Sequence, residues 1–80
     1  MTRYLVVYEK TKSGFSSYAP DLPGCVAAGK TRSECERNMA TAMQMHLDGM
    51  REDGEKLPTP NAYAEILVVV GQRRRSASLG

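Results

Sequence analysis

Eighty residues, 41% hydrophobic and 25% charged, with a formal net charge of +2, provide for one domain with one core and exclude both a disordered chain and a bilayer-spanning one. The positive excess is local: Arg73, Arg74 and Arg75 lie together, and setting those three charges against +2 leaves about −1 for the rest, a poor balance for gripping a phosphate backbone. A domain this small buries only roughly 60% of the surface its unfolded chain exposes, so self-association is an obvious source of added stability.

Met1-Thr2-Arg3 leads directly into a strand pattern. No apolar h-region of a secretory signal precedes it, which points to the cytoplasm. The longest apolar run, Ile66 to Val70, is far too short to cross a bilayer. Two cysteines, Cys25 and Cys35, make no disulfide framework in such a protein and read as small buried hydrophobes.

Arg3 to Glu9 is rich in β-branched and aromatic residues. Alternation puts Tyr4, Val6 and Tyr8 on one face and Leu5 and Val7 on the other. A strand apolar on both faces belongs inside its sheet. Lys10 to Gly14 is a polar turn, and Phe15 to Ala19 is the return strand of a hairpin. Pro20-Asp21-Leu22-Pro23-Gly24 is a cluster of turn formers. Cys25 to Gly29 forms a short third strand whose small side chains leave room for a large element on top.

Thr31-Arg32-Ser33-Glu34 reads as a capping box, with Thr31 at the N-cap and Glu34 at N3. The helix it opens runs to about Asp53, and Gly54 suits the left-handed position past its end. At 100° per residue, Cys35, Met39, Ala42, Met43, His46 and Met50 form one stripe. Glu34, Arg37, Thr41, Asp48 and Glu52 fall opposite. A proline-bearing connector, Glu55 to Asn61, leads to a last strand, Ala62 to Val70. Residues 1–70 therefore form the domain, and residues 71–80 (GQRRRSASLG) a disordered basic tail.

The expected fold is α/β of the α+β kind, with element order β-β-β-α-β. A right-handed crossover sets the last strand parallel to the first. This gives a four-stranded mixed sheet of order 3-2-1-4 with one helix on one face. The other face is left for a partner or a second copy.

The candidate chemistries fail on geometry. Cys35 and His46 lie eleven residues apart on one helix, roughly 16 Å at 1.5 Å per residue, too far to share a metal ion. Cys25 with His46 is the one possible nucleophile–base pair, and no acid is placed to orient the histidine. Metal-dependent nuclease work needs converging acids. The first strand has none at its centre; Glu9 is at its end and Asp21 in the loop. No catalytic residue, metal site or cofactor is expected. The Arg73–Arg75 run offers only a weak, salt-sensitive contact to nucleic acid. The loop after the second strand suits protein recognition better. Tyr8, Phe15, Tyr18, Asp21 and Leu22 are the expected partner-binding residues, since aromatic anchors dominate such interfaces.

The stretch Gly14 to Thr31, GFSSYAPDLPGCVAAGKT, resembles the signature of the HicB family of antitoxins. The helix, from Ser33-Glu34-Cys35-Glu36 through His46-Leu47-Asp48-Gly49-Met50-Arg51-Glu52-Asp53-Gly54-Glu55, and the connector Leu57-Pro58-Thr59-Pro60 are similar to the same family. Together they cover nearly all of residues 3–70. The resemblance implies a partial RNase H-like fold of β-β-β-α-β order. It also implies an antitoxin that neutralises, by protein contact, a small HicA-like toxin that cleaves mRNA. Many HicB proteins carry a C-terminal DNA-binding domain; here ten residues follow the last predicted strand, so DNA binding and autoregulation are not expected. The alternative is a solitary oligomeric scaffold or small-molecule-binding domain without a toxin. A homodimer or higher oligomer is expected either way, because the last strand is a hydrophobic sheet edge.

Overall fold

The computed structural model describes residues 2–71. Of the expected tail, residues 71–80, all but Gly71 lie outside them. Three strands, β1 (Val7–Lys10), β2 (Phe15–Tyr18) and β3 (Val26–Gly29), precede one helix, α1 (Arg32–Glu52). The strands form an antiparallel sheet in the order β1-β2-β3. Tyr8 stands opposite Ser17, and Ser17 opposite Ala27. The first turn closes where Thr11 N donates to Gly14 O at 2.8 Å.

Residues at the helix ends satisfy backbone groups that a helix cannot satisfy internally. Glu34 N donates to Thr31 Oγ1 at 3.0 Å. The Glu34 carboxylate reaches back past the cap itself and accepts from Lys30 N at 2.6 Å. At the other end Gly54 adopts φ 73°. Gly54 N donates to Arg51 O and Glu55 N to Met50 O, the paired bonds of a Schellman motif.

Helix α1 lies over β3 and, to a lesser extent, β2. Its first turn comes so near β3 that a Cβ on Gly29 would sit 2.5 Å from Cys35 N. The small residues of β3 permit that approach. Ala19, Leu22, Cys25 and Met39 form the buried core, with Tyr4, Val6, Ala27, Ala42, Met43 and Leu47 packed around it. Leu47 takes the place in this cluster that the helical stripe assigned to His46, which is half-buried beside it. Buried Cys35 donates through Sγ to Ser17 Oγ at 3.4 Å, a long, weak contact that gives this buried hydroxyl a partner.

The expected fourth strand does not form within the single chain. Residues 62–70 belong to no strand among the described residues, and β1 is an edge strand rather than an interior one. Ile66 is 93% exposed, and Leu67, Val68, Val69 and Val70 are nearly as open. The segment is apolar on both faces, and α1 lies over β3 and β2.

Two glycines of this fold give opposite expectations. Gly29→Ala drives a methyl into the α1 backbone and lowers stability by about 1–3 kcal/mol, the cost of overpacking. Gly49→Ala, in the last turn of α1 with open space at its Cβ, raises stability by about 0.5–1 kcal/mol through helix propensity. Paired thermal or denaturant melts check the signs.

Candidate protein-binding surface

Because side chains alternate along a strand, the sheet has two unlike faces. Tyr8, Ser17 and Ala27 form a cross-strand row on the helix side, where Ser17 is buried against Cys35. The neighbouring row, Val7–Tyr18–Val26, points the other way. No element covers it among the described residues: Tyr18 is 41% and Val26 63% exposed. Next along the strands comes a mostly polar row, Glu9–Ser16–Ala28. The open face thus offers an apolar band with a polar border, the composition of an interface centre and rim.

The apolar band lies at the end of the sheet where β2 runs into the loop Pro20–Gly24. The loop is built tightly: Leu22 N donates to Ala19 O and Cys25 N to Leu22 O, both at 3.0 Å. Gly24 supplies the left-handed residue at φ 84°. Asp21 Oδ2 accepts from Asn61 N and from Ala62 N, each at 2.9 Å. Tyr4 Oη donates to Pro58 O at 2.6 Å. Two polar side chains thereby tie the proline connector to the loop and to the segment that leads into β1.

The structure disperses the five expected contact residues. Tyr18 lies on the open face. Tyr8 is on the helix side, with the Arg32 guanidinium 5.1 Å from its ring centroid, within cation–π range. Burial, then the nearby Glu36, push its phenol pKa above the ordinary value, although Arg32 pulls the other way. Phe15 is half-buried and lines a shallow groove with Thr11, Lys30, Glu34 and Asn38. Asp21 is occupied by the connector. Leu22 is a core residue at 1% exposure. It holds the loop that Asp21 uses. Val7 and Val26 were missing from the expected set because only the strand register shows that they flank Tyr18.

Cys25 and His46 do line one shallow cleft, together with Gly24, Val26, Ala42 and Met45. Cys25 is buried, and that burial raises its thiol pKa, the wrong direction for a nucleophilic thiolate. Among the described residues no group of three or more His, Cys, Asp or Glu side chains is placed to hold a metal ion. None of the described helices is long and apolar enough to cross a membrane.

Comparison with known proteins adds relatives to this geometry. Residues 4–70 match the family described as HicB_like antitoxin of bacterial toxin-antitoxin system. A protein of Haemophilus phage HP1, an uncharacterized 14.9 kDa product of the rep-hol intergenic region, is 43% identical over 80% of this chain and 48% of its own. Antitoxin HicB 2 of Photorhabdus laumondii is 32% identical over 85% of this chain and 49% of its own. The chain thus spans about half the length of these two relatives. A UPF0150 protein of Thermoplasma acidophilum is 33% identical over 75% of this chain and 88% of its own. Among solved structures, a chain of the HicA3 and HicB3 toxin-antitoxin complex superposes with a TM-score of 0.64 at 33% identity, covering 75% of this chain and 70% of that one.

The Asp21 clasp has a direct readout. Asp21→Ala removes the acceptor for Asn61 N and Ala62 N. Amide hydrogen exchange at residues 61 and 62 is expected to accelerate at least about tenfold, as for local opening without global unfolding. Exchange in the middle of α1 stays at its original rate.

Proposed function

Because the chain belongs to the HicB-like antitoxins of bacterial toxin-antitoxin systems, we propose that it binds a HicA-like toxin and blocks it by contact alone, without catalysis of its own. The observation that carries this reading is the uncovered Val7–Tyr18–Val26 band. An apolar strip beside a rigid, clasped loop suits a protein partner, and a shallow face of this kind would enclose little of a small ligand. A solved relative that shares the fold comes from a HicA3 and HicB3 toxin-antitoxin complex, which supports a toxin as the partner class.

In this reading Tyr18 is the central anchor, with Val7 and Val26 beside it. Tyr8 and Phe15 contribute from the margins, and Asp21 and Leu22 act by holding the loop in place. The protein works in the cytoplasm, where a toxin that attacks mRNA would have to be met. It also self-associates. The four-stranded, partial RNase H-like arrangement belongs to that associated state.

The test is inhibition of RNA cleavage by a HicA-like toxin from the same genome, with binding followed by calorimetry. A stoichiometric amount of the chain abolishes cleavage. Tyr18→Ala and Val26→Asp each weaken binding by at least about 30-fold, the scale of an interface hot spot. Thr41→Ala, on the exposed side of α1, leaves binding unchanged. Full inhibition by the Tyr18→Ala, Val26→Asp double variant would overturn the assignment of this face. No binding to any such toxin would favour the solitary scaffold instead.

A further inference from the structure

We propose that residues 62–70 are exchanged between two copies of this chain, each copy's segment adding a fourth strand along the outer edge of the other's β1; the proposal deepens the self-association reading above. Three observations combine to it.

The first is an unused strand. Residues 63–70 are exposed throughout, and Ile66 to Val70 are five consecutive large apolar residues. Such a segment free in water is an adhesive edge that proteins avoid leaving open. It alternates well enough to pair: Tyr63, Leu67 and Val69 fall on one side of an extended chain, and Ala64, Ile66, Val68 and Val70 on the other.

The second is an unused edge. The sheet has two outer edges, β1 and β3. At β3, α1 already uses one backbone acceptor, Ala28 O, to which Asn38 Nδ2 donates at 2.8 Å. Among the described residues no strand pairs with the outer side of β1. Just before it, Tyr4, Leu5 and Val6 continue the apolar sequence but belong to no strand. β2 cannot extend to meet them, because it turns into the Pro20–Gly24 loop after Tyr18. Residues 3–10 therefore form an open edge of about the length of the 62–70 segment.

The third is the hinge. The segment leaves the body at Asn61 and Ala62, held by Asp21. It follows Pro58 and Pro60, whose rings fix φ and stiffen the connector. The connector aims the segment off its own sheet, and a second copy presents the matching edge. Reciprocal pairing closes with two-fold symmetry and leaves neither segment open. Pairing of the two segments only with each other would give a two-stranded ribbon with apolar faces, an arrangement marginal in water.

The experiment is a dimer assembled from equal amounts of isotopically labelled and unlabelled full chain. Light scattering at micromolar protein is expected to give twice the 8.8 kDa of one chain. Filtered NOE spectra are expected to show contacts between residues 62–70 of one copy and residues 3–10 of the other. Ile66→Lys with Val68→Lys is expected to weaken dimerisation at least 100-fold while the helical circular dichroism persists. A monomer overturns both the exchange and the self-association reading. A dimer with contacts between 62–70 and 3–10 inside one copy, or only between the two 62–70 segments, overturns the exchange alone. So does a dimer indifferent to the two lysines. Toxin binding is read separately, by the cleavage assay.

Discussion

A single added carbon at Gly29 would stand 2.5 Å from the amide nitrogen of Cys35, and the nearness of α1 to β3 at this point governs where the remaining chain can go. The cap sets the approach. Thr31 and Glu34 fasten the helix start to the residues that leave β3, so the first turn has little freedom to lift away. With the helix fixed over β3 and β2, Cys35 and Met39 become its buried residues, and Ser17 is sealed beneath them. β1 meets the helix chiefly through Tyr8, beneath the Arg32 guanidinium. Among the described residues, the outer edge of β1 and the segment after the connector are left outside the core.

At the other end of the sheet, two adjacent residues do opposite work. Leu22 turns inward and fills the core under the loop, while Asp21 stays at the surface and takes two backbone amides from the connector. The first holds the loop by burial, worth roughly 2 kcal/mol or more for a leucine. The second uses charge-assisted hydrogen bonds, which are stronger than neutral ones. The shape of the Pro20–Gly24 loop and the exit direction of the 62–70 segment are thereby linked through one turn.

Much of this was legible from local patterns. The capping box, the glycine past the helix, the polar first turn and the second and third strands depend on residues within a few positions of one another and appear where their patterns place them, whereas the first strand, expected from Arg3 to Glu9, runs from Val7 to Lys10. What escaped depends on distant partners. Leu22 reads equally well as a loop anchor or a core residue until the loop is closed. Val7 and Val26 join Tyr18 only through register. On the helix, Cys35, Met39, Ala42 and Met43 face the core as the stripe expects, and Leu47 packs there beside the half-buried His46, because an amphipathic face this broad has no sharp boundary. Residues 62–70 read as a strand from composition, and composition carries no information about whether the neighbour belongs to the same chain.

The buried core is small. Although 41% of the residues are hydrophobic, Leu22 and Met39 are the only large apolar side chains fully buried among the described residues. A core of that size leaves a small stability margin, and any partner that binds the folded form alone adds to it by mass action, about 2.7 kcal/mol at a hundred times the dissociation constant. Self-association and toxin binding would use adjoining surfaces, because Val7 stands in β1 and also in the open apolar band. With a fourth strand laid along β1, the band Val7–Tyr18–Val26 would gain another apolar residue at its β1 end and lose its ragged border. The two associations would then favour each other, and by linkage the coupling would run equally in both directions.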